Sequence, residues 1–290
     1  EENESQKNSD LGLLIRAGIE FGLDKFGQGV GKFLATGTYL HKDRYNNPTI
    51  EGRNDALISS SGFFDGENYH EFDHMKISED VKHAWYDDQK DGLHPWDEPL
   101  PTPAKSQPLH HTDFDGQYSW SKAPRYDGHA AEAGPLARCI MNANPKKMGP
   151  SVFTRVLARV HEAPRIYKFI EQWLSEIDLD APFYTKPVEK DGKGFGATEA
   201  ARGALAHWIE IKDGVIKNYQ VMAPTTWNVG PNDAKGNPGP IEAALEGIDI
   251  EDPSDPVEVG IVARSFDSCL VCTVHAHDQQ SGVELSRFKL

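Results

Sequence analysis

The stretch of sequence that says most about the fold reads DSCLVCTVH and spans residues 267–275. Two residues separate its cysteines, Cys269 and Cys272, and His275 lies three residues further on. This spacing lets two thiolates bind one metal ion, and thiolates favour soft or borderline metals such as nickel, iron, zinc and copper(I). The segment therefore predicts a buried redox-metal centre with Cys269 and Cys272 among its ligands.

Two simpler interpretations of the motif remain open. A structural zinc site needs further ligands, and the only other cysteine of the chain, Cys139, stands alone. A thioredoxin-like redox pair sits before a helix in a strand–helix–strand unit, and that context is missing around residues 267–275. A metal shared with ligands from another chain explains the shortage of ligands best.

Composition places the chain among ordinary globular proteins and argues against several functions. It has 290 residues, of which 38% are hydrophobic and 26% charged, and its formal net charge is -15. Nucleic acids and anionic membranes attract basic surfaces, so we expect no nucleic acid as a partner and no polybasic attachment to a membrane. No apolar run reaches the length of about 18 residues that a membrane span needs. We expect a location in the cytoplasm or peripherally on the cytoplasmic membrane.

The chain begins at Glu1 rather than at a methionine, and no charged, apolar leader is visible. Either an amino-terminal part is missing from it, or it is the second piece of a longer polypeptide. Its three cysteines do not suggest a secreted disulfide scaffold.

Helical spacing of apolar residues predicts two helices and a short third one. The first follows Asp10, its expected cap, and breaks into a glycine-rich loop. The second spans 151–177, with Ser151 as its cap and with Pro164 expected to kink or split it. The third runs from about 256 to 264 and leads to the cysteines. The buried stripe of the second helix is expected to comprise Val152, Val156, Val160, Ile166, Ile170 and Trp173.

Strand patterns predict two hairpins. Residues 56–63 predict a strand, followed by a turn at Asp65-Gly66 and a return strand over 68–72. The second hairpin has the two-residue turn Asp213-Gly214. It is a rigid way to bring Arg202 near Thr225, where a guanidinium and a hydroxyl can together grip small anionic ligands beside a metal.

Residues 86–126 predict no regular element. The segment is polar and aromatic and includes six prolines. Its aromatic residues are potential anchors, so we expect a covering or subunit-wrapping loop rather than disorder. No internal boundary is evident, and residues 1–290 are expected to belong to one domain, with 276–290 as a tail beyond the metal-binding motif.

Four segments, in the same order, resemble the large subunits of nickel–iron hydrogenases. They are PRYDGHAAEAGPLAR at 124–138, EAARGALAHW at 199–208, APTTWNVGP at 223–231 and SFDSCLVCTVH at 265–275. The second resembles the family's Glu-Ala-Pro-Arg-Gly segment, the third its Pro-Ser/Thr-Thr-Trp-Asn segment, and the last its carboxy-terminal metal motif. The ending is most similar to uptake hydrogenases of the cyanobacterial type. The resemblance implies the carboxy-terminal part of that fold, an α+β structure that is predominantly helical with a β-hairpin region.

The resemblance also implies the chemistry. The family reversibly splits H2 at a nickel–iron centre held by four cysteines, two from each end of the large subunit, and its iron carries carbon monoxide and cyanide. Cys269 resembles the terminal nickel ligand and Cys272 the thiolate that bridges the two metals. The terminal thiolate is basic enough to take a proton when H2 splits in the uptake direction.

Further residues acquire roles from the same resemblance. Arg202 matches an arginine that stands over the open metal position and contacts a cyanide, and Asp267 matches the carboxylate that supports it. Thr225, with Pro224 before it, matches the segment whose hydroxyl binds a cyanide. His275 matches a ligand of a magnesium or similar divalent ion, to which a carbonyl near Val221 also contributes.

The implied assembly needs other polypeptides. The family's amino-terminal Cys-x-x-Cys is absent here, so an amino-terminal part must supply two further cysteines. An iron–sulfur small subunit would take the electrons, and a higher hetero-oligomer is expected. Ser268 and Ala201 stand where the family has proline, which loosens the backbone. The tail after His275 marks either an uncleaved precursor or a subgroup that keeps its tail.

Two other functions remain open. One is a metal-free structural or quinone-site subunit related to respiratory complex I, against which Cys269 and Cys272 argue. The other is a zinc-stabilised interaction module, against which the missing ligands argue. Cys139 is interpreted as a buried small residue, and Glu132 and Arg138 as residues that hold the fold together.

Overall fold

A computed structural model describes most of the chain. The described residues are 9–40, 57–87, 90–100, 102–103, 116–142, 149–184, 186, 190–269, 273–277 and 284–289. Cys272 and the segments 1–8, 41–56 and 104–115 lie outside them.

One antiparallel sheet carries the 199–208 motif segment and leads directly into the 223–231 segment. Its strands are β8 (Gly192–Ala200), β9 (Gly203–Lys212) and β10 (Val215–Met222), in the order β10-β9-β8. Asp213 and Gly214 join β9 to β10 with φ angles of 53° and 73°, the left-handed conformation of a tight two-residue hairpin turn. The predicted hairpin is therefore confirmed. Both of its outer ends lead into motif segments, because Arg202 precedes β9 and Ala223 follows β10.

A second antiparallel sheet consists of β1 (Phe33–Leu40), β2 (Leu57–Phe64) and β3 (Tyr69–His70), in that order. The predicted strand and its return strand are confirmed, although the return strand is only two residues long. β1 was not predicted, because its sequence FLATGTYL mixes apolar residues with threonines and a glycine and lacks strict alternation. β1 also packs against β8 and β9, which joins the two sheets.

The first helix, α1, spans Asp10–Glu20. Its cap is Ser9 and not Asp10 as predicted, since the Ser9 hydroxyl accepts a hydrogen bond from Gly12 N at 3.1 Å. Asp10 instead lies in the first turn, where a negative charge favours the helix dipole. A short 3₁₀ turn at Leu23–Lys25 then leads into the predicted glycine-rich loop.

The long helix α3 spans Val152–Glu176 and is capped by Ser151, as predicted. It stays helical on both sides of Pro164, so of the two predicted effects the split is wrong and the kink stays a prediction. The other turns of a 25-residue helix outweigh the loss of one hydrogen bond. The predicted stripe is wrong beyond the first turns, because Val160 and Ile170 are 37% and 44% exposed. The buried residues of α3 lie in its first half, where it packs against α2 (Pro135–Asn142) and α6 (Val257–Ser265).

The remaining helices are short and lie between the motif segments. α4 (Pro224–Val229) starts directly after β10, and α5 (Pro240–Leu245) follows it. α6 confirms the predicted helix before the cysteines. Trp208 of β9 and Trp227 of α4 are both almost fully buried in one apolar cluster with Leu34 of β1. Ala133 of the 124–138 segment belongs to the same cluster, so three of the four motif segments share a core.

Part of the segment 86–126 forms short strands, which corrects the expectation that it has no regular element. β5 (Tyr86–Asp87) pairs with β6 (Thr102–Pro103), and β7 (Ala123–Tyr126) pairs with β4 (Ile77–Asp80). These strands have two to four residues, which is too short to show a periodicity. The covering or subunit-wrapping role of the segment stays a prediction.

At the carboxyl end, β11 (Thr273–His277) pairs with β12 (Glu284–Lys289), so part of the tail returns antiparallel to the metal motif. The predicted α+β class is confirmed. Strands hold about as many residues as helices in the described part of the chain, so the expected helical predominance is not a feature of this part. None of the described helices is both long and apolar enough to cross a membrane.

Candidate metal centre

The end of α6 directs the chain toward Cys269. Phe266 N donates to Ala263 O at 3.3 Å and Asp267 N donates to Arg264 O at 3.0 Å, which closes the last turn of the helix. Asp267 then adopts the left-handed conformation with a φ of 53°. Aspartate tolerates this conformation better than most residues do. A residue in the left-handed conformation commonly ends a helix and changes the direction of the chain.

Cys269 is half-buried, and its thiol lies beside the first turn of α4. Its Sγ is 3.2 Å from the Oγ1 of Thr225. Pro224 starts α4 at a position where its missing N–H costs no helical hydrogen bond, and its fixed φ sets the direction in which Thr225 follows β10. The hairpin and the end of α6 thus bring a thiol and a hydroxyl into contact.

Arg202 joins the same site from the turn between β8 and β9. Its Nε donates to the main-chain carbonyl of Asp267 at 2.8 Å, and its Nη2 is 3.6 Å from Asp267 Oδ1. The two side chains are each about one-third exposed. The positive charge of Arg202 is therefore held at the segment that carries Cys269.

Two glycines set the backbone at Arg202. Gly203 has a φ of 129°, and a Cβ added there would lie 2.6 Å from Gly134 N. Gly134 has a φ of 132°, and its added Cβ would lie 3.2 Å from Arg202 O. The 124–138 and 199–208 segments therefore meet back to back at a distance that only glycine permits.

A buried ion-pair network holds the chain just before Arg202. Glu199 accepts from Thr36 N at 2.6 Å and from Arg138 Nη1 at 2.7 Å. Arg138 also donates to the carbonyls of Ala200 at 3.2 Å and Ala201 at 2.9 Å. Burial raises the pKa of Glu199, although Arg138 and Thr36 act in the opposite direction. The carboxylate and the guanidinium thus compensate each other inside the protein.

Arg138 also forms a two-point ion pair with Glu162 of α3, through contacts of 2.7 Å and 2.6 Å. Burial lowers the pKa of Arg138, but its hydrogen bonds to Glu162 and the charge of Glu199 outweigh this and raise the pKa above its usual value. Glu132 pairs in a similar way with Arg155, at 2.8 Å and 2.9 Å. These contacts are of the kind expected for Glu132 and Arg138 as residues that hold the fold.

The side chain of Asn228 ties the 223–231 segment to the 124–138 segment. Asn228 Oδ1 accepts from Ala133 N, and its Nδ2 donates to Ala133 O, both at 2.9 Å. Asn228 is 3% exposed, so both hydrogen bonds are made inside the protein. An amide can pair with a peptide group in this two-point way, whereas a carboxylate cannot.

The structure brings together Cys269, Arg202, Asp267, Thr225 and Pro224 out of the predicted site residues. Cys272 lies outside the described residues. His275 lies on β11, where its backbone pairs with Arg287, and Val221 lies on β10 opposite His207. In the described residues, no group of three or more histidines, cysteines and acidic residues surrounds a potential metal position. The expected magnesium site therefore stays a prediction.

Sequence reasoning did not identify several residues that support the site. Glu199 belongs to a quoted motif segment but was assigned no role. Arg155 and Arg159 lie four residues apart on α3, and Arg159 Nη2 donates to Ser265 O at 3.0 Å. An i, i+4 arginine pair inside a helix with a buried face is a signal that could have marked them.

The donors fit a soft metal better than a hard one. The candidate ligand atom is a thiol sulfur with a hydroxyl beside it, and a guanidinium contacts Asp267, two residues before Cys269. Ser268 Oγ, next to Cys269 in sequence, and Trp227 Nε1, two residues after Thr225, are both buried. Neither has a hydrogen-bond partner in the part of the chain that the structure describes. Magnesium or calcium would require several oxygen ligands, whereas the described hydrogen bond of Cys269 is to a single hydroxyl oxygen.

The sequence matches the family model described as nickel-dependent hydrogenase over residues 17–275. The chain therefore belongs to the nickel-dependent hydrogenase family, which confirms the resemblance seen in the four segments.

Known proteins show the same relationship. The chain is 34% identical over 278 aligned residues to the quinone-reactive Ni/Fe-hydrogenase large chain of Wolinella succinogenes, with 81% of this chain and 47% of that protein covered. It is 38% identical over 255 residues to the uptake hydrogenase large subunit of Bradyrhizobium diazoefficiens, with 74% of this chain and 43% of that protein covered. The chain spans less than half the length of these relatives. The cyanobacterial-type subgroup stays a prediction.

Solved structures agree on the fold. A variant of the NiFeSe hydrogenase from Desulfovibrio vulgaris Hildenborough matches with a TM-score of 0.76 and 29% identity, covering 91% of this chain and 56% of that chain. The Ni-Fe-Se hydrogenase from Desulfomicrobium baculatum matches with a TM-score of 0.74 and 30% identity, covering 92% and 57%. The predicted hydrogenase large-subunit fold is thereby confirmed.

Proposed function

We propose that this chain is the metal-binding, carboxy-terminal part of the large subunit of a hydrogen-uptake nickel–iron hydrogenase. The observation that carries the proposal is the meeting of Cys269, Thr225 and the Arg202–Asp267 pair, which come from three separate segments. A thiol, a hydroxyl and a fixed positive charge are the groups needed around a soft metal that handles a small apolar substrate.

The metal centre belongs to the proposal. Cys269 and Cys272 would hold a nickel–iron centre with two more cysteines from the amino-terminal part of the subunit, and its iron would carry carbon monoxide and cyanide. When bound, this centre would supply the Lewis acidity needed to polarise H2, which offers no charge or hydrogen-bonding group for the protein to bind. His275 and the carbonyl of Val221 would contribute to a magnesium or similar site nearby.

The residues of this chain would accept the proton, donate a hydrogen bond at the centre and supply a positive charge beside it. The Sγ of Cys269 accepts the proton released from H2. Thr225 Oγ1 carries one hydrogen, so it donates either to this thiolate or to a cyanide on the iron. Arg202 supplies a fixed positive field from a guanidinium whose position does not change during the reaction. Pro224 and Trp227 are buried beside Thr225 and exclude water.

Electrons would leave through partner chains. This chain would act only with the amino-terminal part and with a small subunit that contains iron–sulfur clusters, in a higher hetero-oligomer. H2 is the substrate, and no nucleic acid is expected to bind. The complex would work in the cytoplasm or peripherally on the cytoplasmic membrane.

The test is elemental analysis of the purified complex, with infrared spectroscopy on the same sample. Nickel near one equivalent, iron beyond the cluster iron, and carbon monoxide and cyanide bands would support the proposal. Zinc alone without these bands would indicate an interaction module, and absence of all metals would indicate a structural or quinone-site subunit. Iron-ligand bands without nickel would identify a precursor and explain the tail after His275.

A further inference from the structure

Arg159 reaches the candidate site from the long helix α3. Its Nη2 donates to Ser265 O at 3.0 Å, and its Nε lies 3.6 Å from Asp267 Oδ2. The Nε is buried and has no hydrogen-bond partner in the part of the chain that the structure describes. Burial lowers the pKa of Arg159, while Asp267 raises it. The nearest compensating charge for this guanidinium is therefore the carboxylate of Asp267.

Asp267 lies between two arginines. Its Oδ1 faces Arg202 Nη2 and its Oδ2 faces Arg159 Nε, each at 3.6 Å. A carboxylate held from both sides cannot rotate toward one arginine without leaving the other. The orientation of Asp267 therefore depends on Arg159, and the orientation of Arg202 depends on Asp267.

A purely structural role would predict a different geometry. Arg155 lies one turn earlier on α3, and its guanidinium is paired with Glu132 at 2.8 Å and 2.9 Å. Arg138 is likewise paired with Glu162 at 2.7 Å and 2.6 Å. Arg159 instead has one backbone contact and one longer contact to a carboxylate that it shares with Arg202. The difference distinguishes Arg159, whose side chain is 32% exposed, from Arg155 and Arg138, which are both buried.

We propose that Arg159 is a positioning residue of the metal centre: it holds Asp267 and, through Asp267, the guanidinium of Arg202 beside Cys269. Two guanidinium groups and one carboxylate also leave one excess positive charge there, which suits a centre whose thiolate ligands are negative. This inference rests on the proposed function and adds a residue that contacts neither substrate nor metal.

The test is a double-mutant cycle on H2 oxidation by the assembled complex. Arg159→Gln is expected to slow turnover about tenfold in the wild-type background and to have little further effect in an Asp267→Asn background, since residues that act through each other are not additive. Arg159→Lys is expected to recover part of the loss, because it keeps the charge but has a single donor group. An equal loss in both backgrounds would overturn the proposal.

A second measurement does not depend on turnover. Arg159→Gln is expected to retain nickel at the wild-type ratio and to shift the infrared bands of the iron ligands, because the field around the centre changes. Unchanged bands in this variant would contradict the proposal. If Arg159→Gln does not accumulate, the same criterion applies to Arg159→Lys. Arg165→Gln, at an exposed arginine on the same helix, is the control and is expected to match the wild type.

Different results would contradict the proposed function and the proposed role of Arg159. A wild-type complex without nickel and without iron-ligand bands would defeat the proposed function. A wild-type complex with both, whose bands and turnover are insensitive to replacement of Arg159, would defeat only the role of Arg159.

Discussion

Charged side chains near the candidate site are compensated by buried partners rather than by water. Glu199 pairs with Arg138, and Glu132 pairs with Arg155. Burying such a pair gives little net stability, but removing one partner leaves an uncompensated charge inside the protein and is strongly destabilising. The chemistry of single residues is therefore best tested by replacements that keep these pairs.

Cys269→Ser is expected to abolish nickel retention by the complex. A serine hydroxyl is harder than a thiol and is not ionised at neutral pH, so it is a poor ligand for nickel. Nickel would be measured by elemental analysis after gel filtration with a chelator. Cys139→Ser is the matched control, because Cys139 lies on α2 against an apolar cluster. A Cys269→Ser complex with full nickel would exclude Cys269 as an essential ligand.

A buried cluster of two carboxylates and one lysine predicts a pH dependence of stability. Lys122 Nζ is hydrogen-bonded to Glu98 and lies 3.9 Å from Glu79 Oε2. Burial, and then the charge of Glu98, raises the pKa of Glu79 well above its usual value, although Lys122 acts against this. The folded protein therefore binds a proton at Glu79 that the unfolded chain has already lost.

Because an acid with a raised folded-state pKa favours folding only while it is protonated, stability falls as pH rises from the usual glutamate pKa through the raised value. Glu79→Gln is neutral at every pH and is expected to reduce this loss. The thermal unfolding midpoint of the complex, measured from acidic to alkaline pH, provides the test. Glu67→Gln, at an exposed glutamate, should retain the wild-type profile. Identical profiles for Glu79→Gln and the wild type would refute the assignment.

At the level of elements, the site depends on the approach of two turns. The turn between β8 and β9 meets the start of α2 at Gly203 and Gly134, and no side chain fits between them. The network around Arg138 holds the same turn from the other side. The position of Arg202 is thus set by backbone contacts and not by its own side chain alone.

Gly203→Ala is expected to destabilise the large subunit by about 1–3 kcal/mol, because the new Cβ would clash with Gly134 N and the left-handed φ would be strained. It should also lower turnover by displacing Arg202. Thermal unfolding and H2 oxidation would be measured on the complex. Gly196→Ala on β8 is the control, since an added Cβ there meets nothing within 4 Å. Equal midpoints for the two variants would show that the β8–β9 turn and the start of α2 can move apart at little cost.

At the scale of the whole molecule, the chain matches less than half the length of its relatives. Its relatives in Wolinella succinogenes and Bradyrhizobium diazoefficiens are more than twice as long as the part that it matches. Large apolar side chains on and after the second half of α3 face outward, including Leu174 at 65% and Leu179 at 92% exposure. Several large apolar side chains exposed along one stretch of chain are a feature often found at interaction surfaces.

The isolated chain of residues 1–290 is expected to retain no stoichiometric nickel in the presence of a chelator, whereas the complete complex retains it. Two cysteines leave half of a four-thiolate coordination sphere unfilled, and the affinity of a metal site falls steeply with each missing ligand. Both samples would be compared by elemental analysis after dialysis. Stoichiometric nickel in the isolated chain would mean that its own residues complete the site.

Local patterns were sufficient for several elements. The Asp213-Gly214 turn, the cap at Ser151 and the helix before the cysteines each depend on residues close in sequence, and all three were predicted correctly. The motif segments likewise indicated the family, because their residue types reflect the chemistry that they serve. The misassigned cap at Asp10 and the unpredicted strand β1 show where a local pattern is ambiguous or weak.

Sequence alone determined the family and the residue types of the candidate site, since these are written in short motifs of fixed spacing. The resemblance had already paired Arg202 with the carboxylate of Asp267. Only the tertiary structure decided that Arg202 also donates to the main-chain carbonyl of Asp267, that Gly203 abuts Gly134 and that Arg159 contacts Asp267. These contacts join residues 65, 69 and 108 positions apart. Their geometry depends on how sheets and helices pack and not on the local preferences of the chain. For the same reason, the sequence could not show which half of α3 is buried.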